Sequence, residues 1–413
     1  MAKVIPFRGI YYNSDKVKGS DVMAPPYDVI SPEMKDELYD LGPYNVVRID
    51  FGKDEDSDTD QQNRYTRAAE FLEKWLDEGV LVRSEKPAYY AYRMEYLFKG
   101  KKMSITGFFG LLKLVELGEG VYPHEDTHSK PKYDRRALLG SAMANTSPIY
   151  SIYSSPERKA SKVLEKAVSG DPYIQSEDSD GVVHSFWPIE DEAMIAAISA
   201  DLGGKDVFIA DGHHRYETAL TFQKSMRKNN PGAGDDEPYD YVLMFLANTH
   251  DEGITILPTH RMVKMENSST IFDKVEKYFD IEDLPPDSDV LDAIEGKKHA
   301  FGLYYQGGFS VLKHKGHGLE GLNPAIKDLD VVVLHEIVFD KLLGVEDWGY
   351  EMEVKKAVGM VDSGRYDAAF FLNPTAVQDI EKVALGASRM PPKSTYFYPK
   401  VRTGFIINSL KSF

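Results

Sequence analysis

Cysteine is absent from this chain, and that one absence removes several chemistries at once. A disulfide, a thiolate nucleophile and a zinc site built on cysteine are all excluded. No apolar run reaches the roughly 18 residues that a membrane-crossing helix needs. The opening Met1-Ala2-Lys3-Val4-Ile5-Pro6 lacks the apolar stretch of a secretory signal, so a cytoplasmic protein is expected. Runs of five or more basic residues are missing too. Lys and Arg total 49 against 66 Asp and Glu, a formal charge of -17. Such a balance repels nucleic acid and anionic membrane surfaces unless a local patch overrides it, so neither is an expected partner. A Gly-x-x-x-x-Gly-Lys-Ser/Thr loop is also lacking, which excludes a P-loop kinase.

What is present describes a globular protein. Of 413 residues, 42% are hydrophobic and 28% charged, enough for two ordinary cores. Residues 60–79 carry Tyr65, Ala68, Leu72, Trp75 and Leu76 at helical spacing. Tyr89 to Leu97 alternates with period two, placing Tyr90, Tyr92, Met94 and Tyr96 on one face, and Lys99-Gly100 turns it into a second strand. A helix is expected over 134–145 and a strand over 149–153. Asp206 to Ala210 reads as a buried strand handing over to a helix, and Tyr241 to Ala247 as another strand, with Ile254–Leu257 pairing near it. Asn45 and Arg48 read as strand. Beyond about residue 265, helices (269–278, 330–343, 375–384) mix with strands (299–304, 309–313, 367–372). The pattern is α/β or α+β. The expected division is residues 1–265 and 266–413, with the tail of the second part returning to the active site.

The segment that points most directly to chemistry is Asp211-Gly212-His213-His214-Arg215, where an apolar strand meets a helix. A first helical turn presents unpaired N–H groups and partial positive charge, and so stabilises an anion such as phosphate. Gly212 permits close backbone approach, Arg215 offers a two-pronged grip on phosphate oxygens, and Asp211 could cap the helix or hold a metal ion. The bland alternative is a cap, a turn and one satisfied histidine. A pair of histidines plus an arginine makes that the weaker reading. The segment His124 to Arg135, with Glu125, Thr127, Lys130 and Lys132, is dense in donors and charges, and is evenly balanced between function and a solvated loop. Ala24-Pro25-Pro26-Tyr27-Asp28 is by itself a stiff turn before a Ser31-capped helix. Pro258-Thr259-His260-Arg261 ends a strand. Met390 to Lys400, with Lys393, Ser394, Thr395 and Lys400, could fold back over an anion site.

Together these segments resemble a known family, long catalogued only as a domain of unknown function in bacteria and archaea. Ala-Pro-Pro-Tyr-Asp at 24–28, His124-Glu125-x-Thr127, Ser147-Pro148-Ile149-Tyr150, Asp211 to Arg215 and Pro-Lys-Ser-Thr at 392–395 occur there in the same order. The Asp-Gly-His-His-Arg element also resembles the ParB/sulfiredoxin-type fold, including free-serine kinases that use ADP. The resemblance implies a ParB/sulfiredoxin-like catalytic core with large α/β elaborations. It further implies a phosphotransferase making O-phospho-L-serine from L-serine, with pyrophosphate as donor. Sulfiredoxin chemistry itself needs the missing cysteine.

On that reading, Gly212, His213, His214 and Arg215 take the donor phosphates, with Lys130, Lys132, Arg135, Arg261 and Lys393 as further cations. Asp211 is the expected ligand of Mg²⁺. Asp28 or Glu125 accepts the serine proton, and the sequence does not separate them. Tyr27, Arg48, His124 and Thr127 are the expected substrate-binding residues. The expected partners are these small molecules and, for oligomeric state, another copy of the chain. The rival readings are a phosphoserine phosphatase running the reaction backwards, a ParB-like nuclease or nucleotide-binding protein, and a silent ligand-binding protein.

Overall fold

The computed structural model describes residues 2–125, 129–265, 270–324, 326–386 and 388–411, the side chains of 129–131 excepted. The fold is mixed α/β and divides into two compact units. Residues 1–122, 127–254 and 399–413 form the first, and residues 123–126 and 255–398 the second. The division therefore falls at 254/255 rather than near Met265, and the tail from Pro399 belongs to the first unit.

The first unit is built on a mixed sheet of nine strands among the described residues. In spatial order these are Val121–Tyr122, Val207–Asp211, Ile149–Tyr153, Tyr241–Asn248, Lys101–Lys113, Tyr89–Phe98, Val183–Ile189 and Ile174–Glu177, with Val4–Ile5 also paired to Lys101–Lys113. The expected hairpin is there. Lys99 and Gly100 take positive φ (47° and 75°), the two-residue turn whose twist matches that of its strands. The one-faced alternation holds from Arg93 onward, where Met94 and Tyr96 are buried and Glu95 and Leu97 exposed, but not at the start of the strand. Tyr89 and Ala91 are as buried as Tyr90 and Tyr92, because they join Leu164 and Ile198 of the helices Lys159–Ala167 and Glu192–Leu202 in one core cluster. Full burial of Leu164 or Ile198 contributes about 1.5–3 kcal/mol each. The helix expected over 60–79 spans Arg64–Asp77 and is capped by the Asn63 side chain.

The second unit carries an antiparallel sheet ordered Phe279–Asp283, Gly308–His314, Ala300–Tyr305, Ala368–Phe371, His260–Val263 and Trp348–Glu351. Thr255–Leu257 pairs with Tyr396–Tyr398, not with Tyr241–Asn248. Pro258, which has no N–H to give a ladder, ends that strand, so His260 and Arg261 begin the next strand instead of closing one. Asn45 and Arg48 are not in a strand either. The Asn45 side chain accepts from the Val47 amide at 3.0 Å and turns the chain into the short helix Val47–Asp50. The helix expected over 330–343 is a helical turn, Asp330–Val333, followed by a π-helix over Leu334–Leu343. Among the described residues, no helix is long and apolar enough to cross a membrane.

Candidate active site

In the first unit, the strand Val207–Asp211 ends in an irregular register. Ile209 faces Ser151 and Asp211 faces Tyr150, so Ala210 is a bulged residue. Gly212 follows with φ +99°, where a Cβ would lie 2.8 Å from Arg215 Nε. Only glycine fits there, and the helix His213–Asn229 starts at once. The turn brings Arg215 back onto Asp211. Arg215 Nη2 donates to Asp211 Oδ2 at 2.6 Å, and Lys400 Nζ donates to Oδ1 at 2.6 Å. Arg215 Nη1 also donates to the Pro148 carbonyl, which ties the helix to the Ser147-Pro148-Ile149-Tyr150 segment. Burial alone would raise the Asp211 carboxyl. The Lys400 ammonium and the Arg215 guanidinium outweigh it and, with His213, hold the group well below the usual carboxylate range.

The Ala24 to Asp28 segment reaches the same place. Tyr27 opens a single 3₁₀ turn, and its ring lies 3.9 Å from the Arg135 guanidinium carbon. Burial pushes the Tyr27 hydroxyl up to about 12, with Asp28 and Asp211 adding to the rise and Arg135 and Arg215 opposing it. Asp28 is exposed. Arg135 is buried, with bonds to Asp50 Oδ1 at 3.2 Å, to the Asp50 carbonyl at 2.8 Å and to Asp134 at 2.8 Å. Thr146 Oγ1 donates to the same Asp50 oxygen at 2.7 Å. Arg135 and Arg215 line a cavity of about 40 Å³ with Thr146, Ser147 and Thr218. That is room for a few water molecules or a small polar group. Lys132 pairs with Glu217.

Other expected site residues lie elsewhere. Arg48 donates to the carbonyls of Tyr39 (2.8 Å) and Gly42 (3.3 Å) and stacks on the Tyr39 ring, so its guanidinium is engaged in local structure. His124, Glu125, Arg261 and Lys393 belong to the second unit. There the Glu125 carboxylate accepts from the amides of Lys393 (3.3 Å) and Thr395 (3.0 Å) and from the Thr395 hydroxyl (3.0 Å). His124 Nε2 lies 2.8 Å from that hydroxyl. Arg261 is 1% exposed and donates to the carbonyls of Thr259 and Lys393. Burial lowers its guanidinium to about 10. The Lys393 ammonium sits 5.4 Å from the Tyr350 ring. Thr127 and the side chain of Lys130 lie outside the described residues.

Asp50 has no signal in the sequence, because Arg-Ile-Asp after two valines looks like an ordinary strand end. Lys400 carries a faint one, a cation beside Pro399 in an aromatic-rich segment. Asp211, the expected Mg²⁺ ligand, is already engaged in this arrangement. Both its oxygens accept from cations, and among the described residues no group of three or more His, Asp or Glu could hold a metal ion.

A family model described as a protein of unknown function (DUF1015) matches residues 4–332. No curated protein matches the chain. Among solved structures, a free serine kinase in complex with AMP is 12% identical, covering 70% of this chain and 86% of its own, with a TM-score of 0.37. A conserved hypothetical protein from Pyrococcus furiosus is 13% identical, with coverage of 71% and 92% and a TM-score of 0.36. SbnI with a C-terminal truncation, from Staphylococcus aureus, is 11% identical, with coverage of 71% and 85% and a TM-score of 0.36.

Proposed function

The chain belongs to the family described as protein of unknown function DUF1015, and we propose that this member is a small-molecule kinase that moves a phosphoryl group from inorganic pyrophosphate to the hydroxyl of free L-serine. The strand Val207–Asp211, Gly212 and the helix after it would be its ParB/sulfiredoxin-like core. One observation carries the reading: a guanidinium and an ammonium meet on one carboxylate at the head of a 17-residue helix. Tyr27 and a second guanidinium, Arg135, stand beside them. The substrate class is what the resemblance carried by the motifs from Ala24 to Thr395 implies.

Phosphoryl transfer asks a protein mainly for positioning and charge neutralisation. The N–H groups at the start of the helix, His213 and His214 offer donors to a polyanion, and Arg215 and Lys400 supply positive charge. Asp211 holds two of those cations in place before the substrate arrives, so little reorganisation is needed when it does. In the transfer, the bond from the bridging oxygen to the transferred phosphorus breaks and the serine Oγ–P bond forms. Orthophosphate leaves with the electron pair, and the hydroxyl proton passes to a carboxylate. Asp28 is the better choice for that base. It is exposed next to Tyr27, whereas the Glu125 carboxylate already accepts bonds from Lys393 and Thr395.

The test is a donor panel. Purified protein and L-serine are given pyrophosphate, ADP or ATP in turn, each with Mg²⁺ and with a chelator, and phosphoserine is measured directly. Phosphoserine from pyrophosphate supports the reading. Product from ADP alone would move the donor assignment, and no product from any donor would remove the function.

A further inference from the structure

Lys400 lies beyond the span matched by the family model, yet it supplies one of the two cations on Asp211. What holds it there is a ring of three hydrogen bonds and one ion pair two residues further on. The Arg402 amide donates to the Tyr92 hydroxyl at 3.2 Å. That hydroxyl has one proton of its own, and its other contact is His184 Nδ1 at 2.7 Å. Nδ1 is therefore the acceptor, and the imidazole proton sits on Nε2, 3.0 Å from Asp178 Oδ2. The same Asp178 oxygen lies 3.8 Å from Arg402 Nη1, which closes the ring back on the residue where it began. Tyr92 and His184 are both fully buried, so no water competes for these bonds.

The opposite edge of the segment is fixed as well. Thr403 and Ala24 exchange both backbone hydrogen bonds, at 2.8 and 3.1 Å, and Arg402 Nη2 donates to the Met23 carbonyl at 3.3 Å. Ala24 is the first residue of the turn that presents Tyr27. Gly404 takes φ +109°, with a Cβ position only 2.9 Å from the Met23 sulfur, so the segment passes too close to Met23 for any side chain there.

We propose that Tyr92, His184 and Asp178 are positioning residues: by gripping Arg402 at both its amide and its guanidinium, they set where the Lys400 ammonium stands at Asp211. Residues 399–404 then act as a strap that fixes Lys400 on one side of the site and the Pro25-Pro26-Tyr27-Asp28 turn on the other. This rests on the reading of the Asp211 region as an anion site. The His184 ring stays neutral, since burial lowers its proton affinity more than Asp178 raises it, and the single-tautomer ring needs that neutral form.

The experiment is a double-mutant cycle on full-length protein, read by calorimetric titration with inorganic pyrophosphate. Lys400→Ala is expected to weaken binding about tenfold to a hundredfold, the range for one lost charge-assisted hydrogen bond. Tyr92→Phe keeps the packing and removes only the hydroxyl. It is expected to weaken binding several-fold on its own and to add nothing once Lys400 is gone. Equal effects of Tyr92→Phe with and without Lys400, or no effect in either, would overturn the proposal. Arg402→Lys serves as a second variant, and Lys400→Arg should restore most of the affinity, which a merely structural role would not. Hydrogen exchange of 399–407 separates this proposal from the functional reading. If wild-type protein takes up no pyrophosphate, the assignment of pyrophosphate as donor falls. Faster exchange confined to that strap in Tyr92→Phe would still uphold the positioning, and unchanged exchange would end it.

Discussion

Lys400 and Asp211 are 189 positions apart in sequence and 2.6 Å apart in the fold. The Lys400 bond takes one carboxylate oxygen and leaves the other to Arg215, so a single acid holds two cations that would otherwise repel each other.

Removing that charge should be costly. Asp211→Asn leaves two partly buried cations side by side, and a stability loss of about 3 kcal/mol is expected, the scale for breaking a buried pair. Urea unfolding at neutral pH measures it. A loss below about 0.5 kcal/mol would place the pair among surface ion pairs of little weight. The sign with pH follows from the lowered carboxyl. The stabilisation is fully present above the ordinary aspartate range and fades as pH falls below it, because the unfolded chain takes up the proton first. Asp211→Asn should therefore flatten the acid limb of the stability curve.

Gly212→Ala should disturb the site more than its size suggests. The residue sits at φ +99°, and its Cβ would meet the Arg215 guanidinium at 2.8 to 3.0 Å. Backbone strain of about 1–2 kcal/mol is expected, together with displacement of Arg215 and loss of at least tenfold in kcat/KM. Preserved kinetics would show that Arg215 need not stand where it does.

His214→Ala should abolish turnover while the thermal transition stays within a few degrees of wild type, since His214 is only half-buried and not in the core. Near-wild-type activity would remove His214 from the chemistry.

The second unit should soften in mild acid. Burial, with Arg261 adding, lowers His260 from 6.5 to about 4 and His335 from 6.5 to about 3. Both stay neutral in the fold while the unfolded chain begins to protonate near the ordinary value. Stability is thus unaffected above that value and lost as pH falls toward the folded ones, by about 2 kcal/mol per histidine at pH 5. Urea midpoints at pH 7 and pH 5 test this. A His260→Gln variant should show a smaller difference between the two than wild type, and an equal difference would exclude His260 as a source.

Much of the first unit was legible because local signals agreed. The Val207–Asp211 strand, the turn at Gly212 and the helix from His213 each follow from apolar runs and one obligatory glycine, and the Lys99-Gly100 hairpin follows from alternation and a turn pair. What was not legible depends on distant partners. Asp50 matters only because Arg135 arrives from 85 positions away. Lys400 matters because the tail returns to Asp211. The Arg48 guanidinium, which looked available, is consumed by Tyr39 and Gly42 from its own neighbourhood. Pairing of Thr255–Leu257 with Tyr396–Tyr398 is a choice between strands of similar composition, which one strand's pattern does not decide.

The most direct measurement follows phosphorus. Wild type and His214→Ala are incubated with L-serine, pyrophosphate and Mg²⁺, and ³¹P spectra are recorded over time. The expected result is one phosphoserine and one orthophosphate for each pyrophosphate consumed by wild type, with no phosphoserine from the variant. Pyrophosphate left intact, or split into orthophosphate alone, would contradict transfer to serine at the Asp211 site.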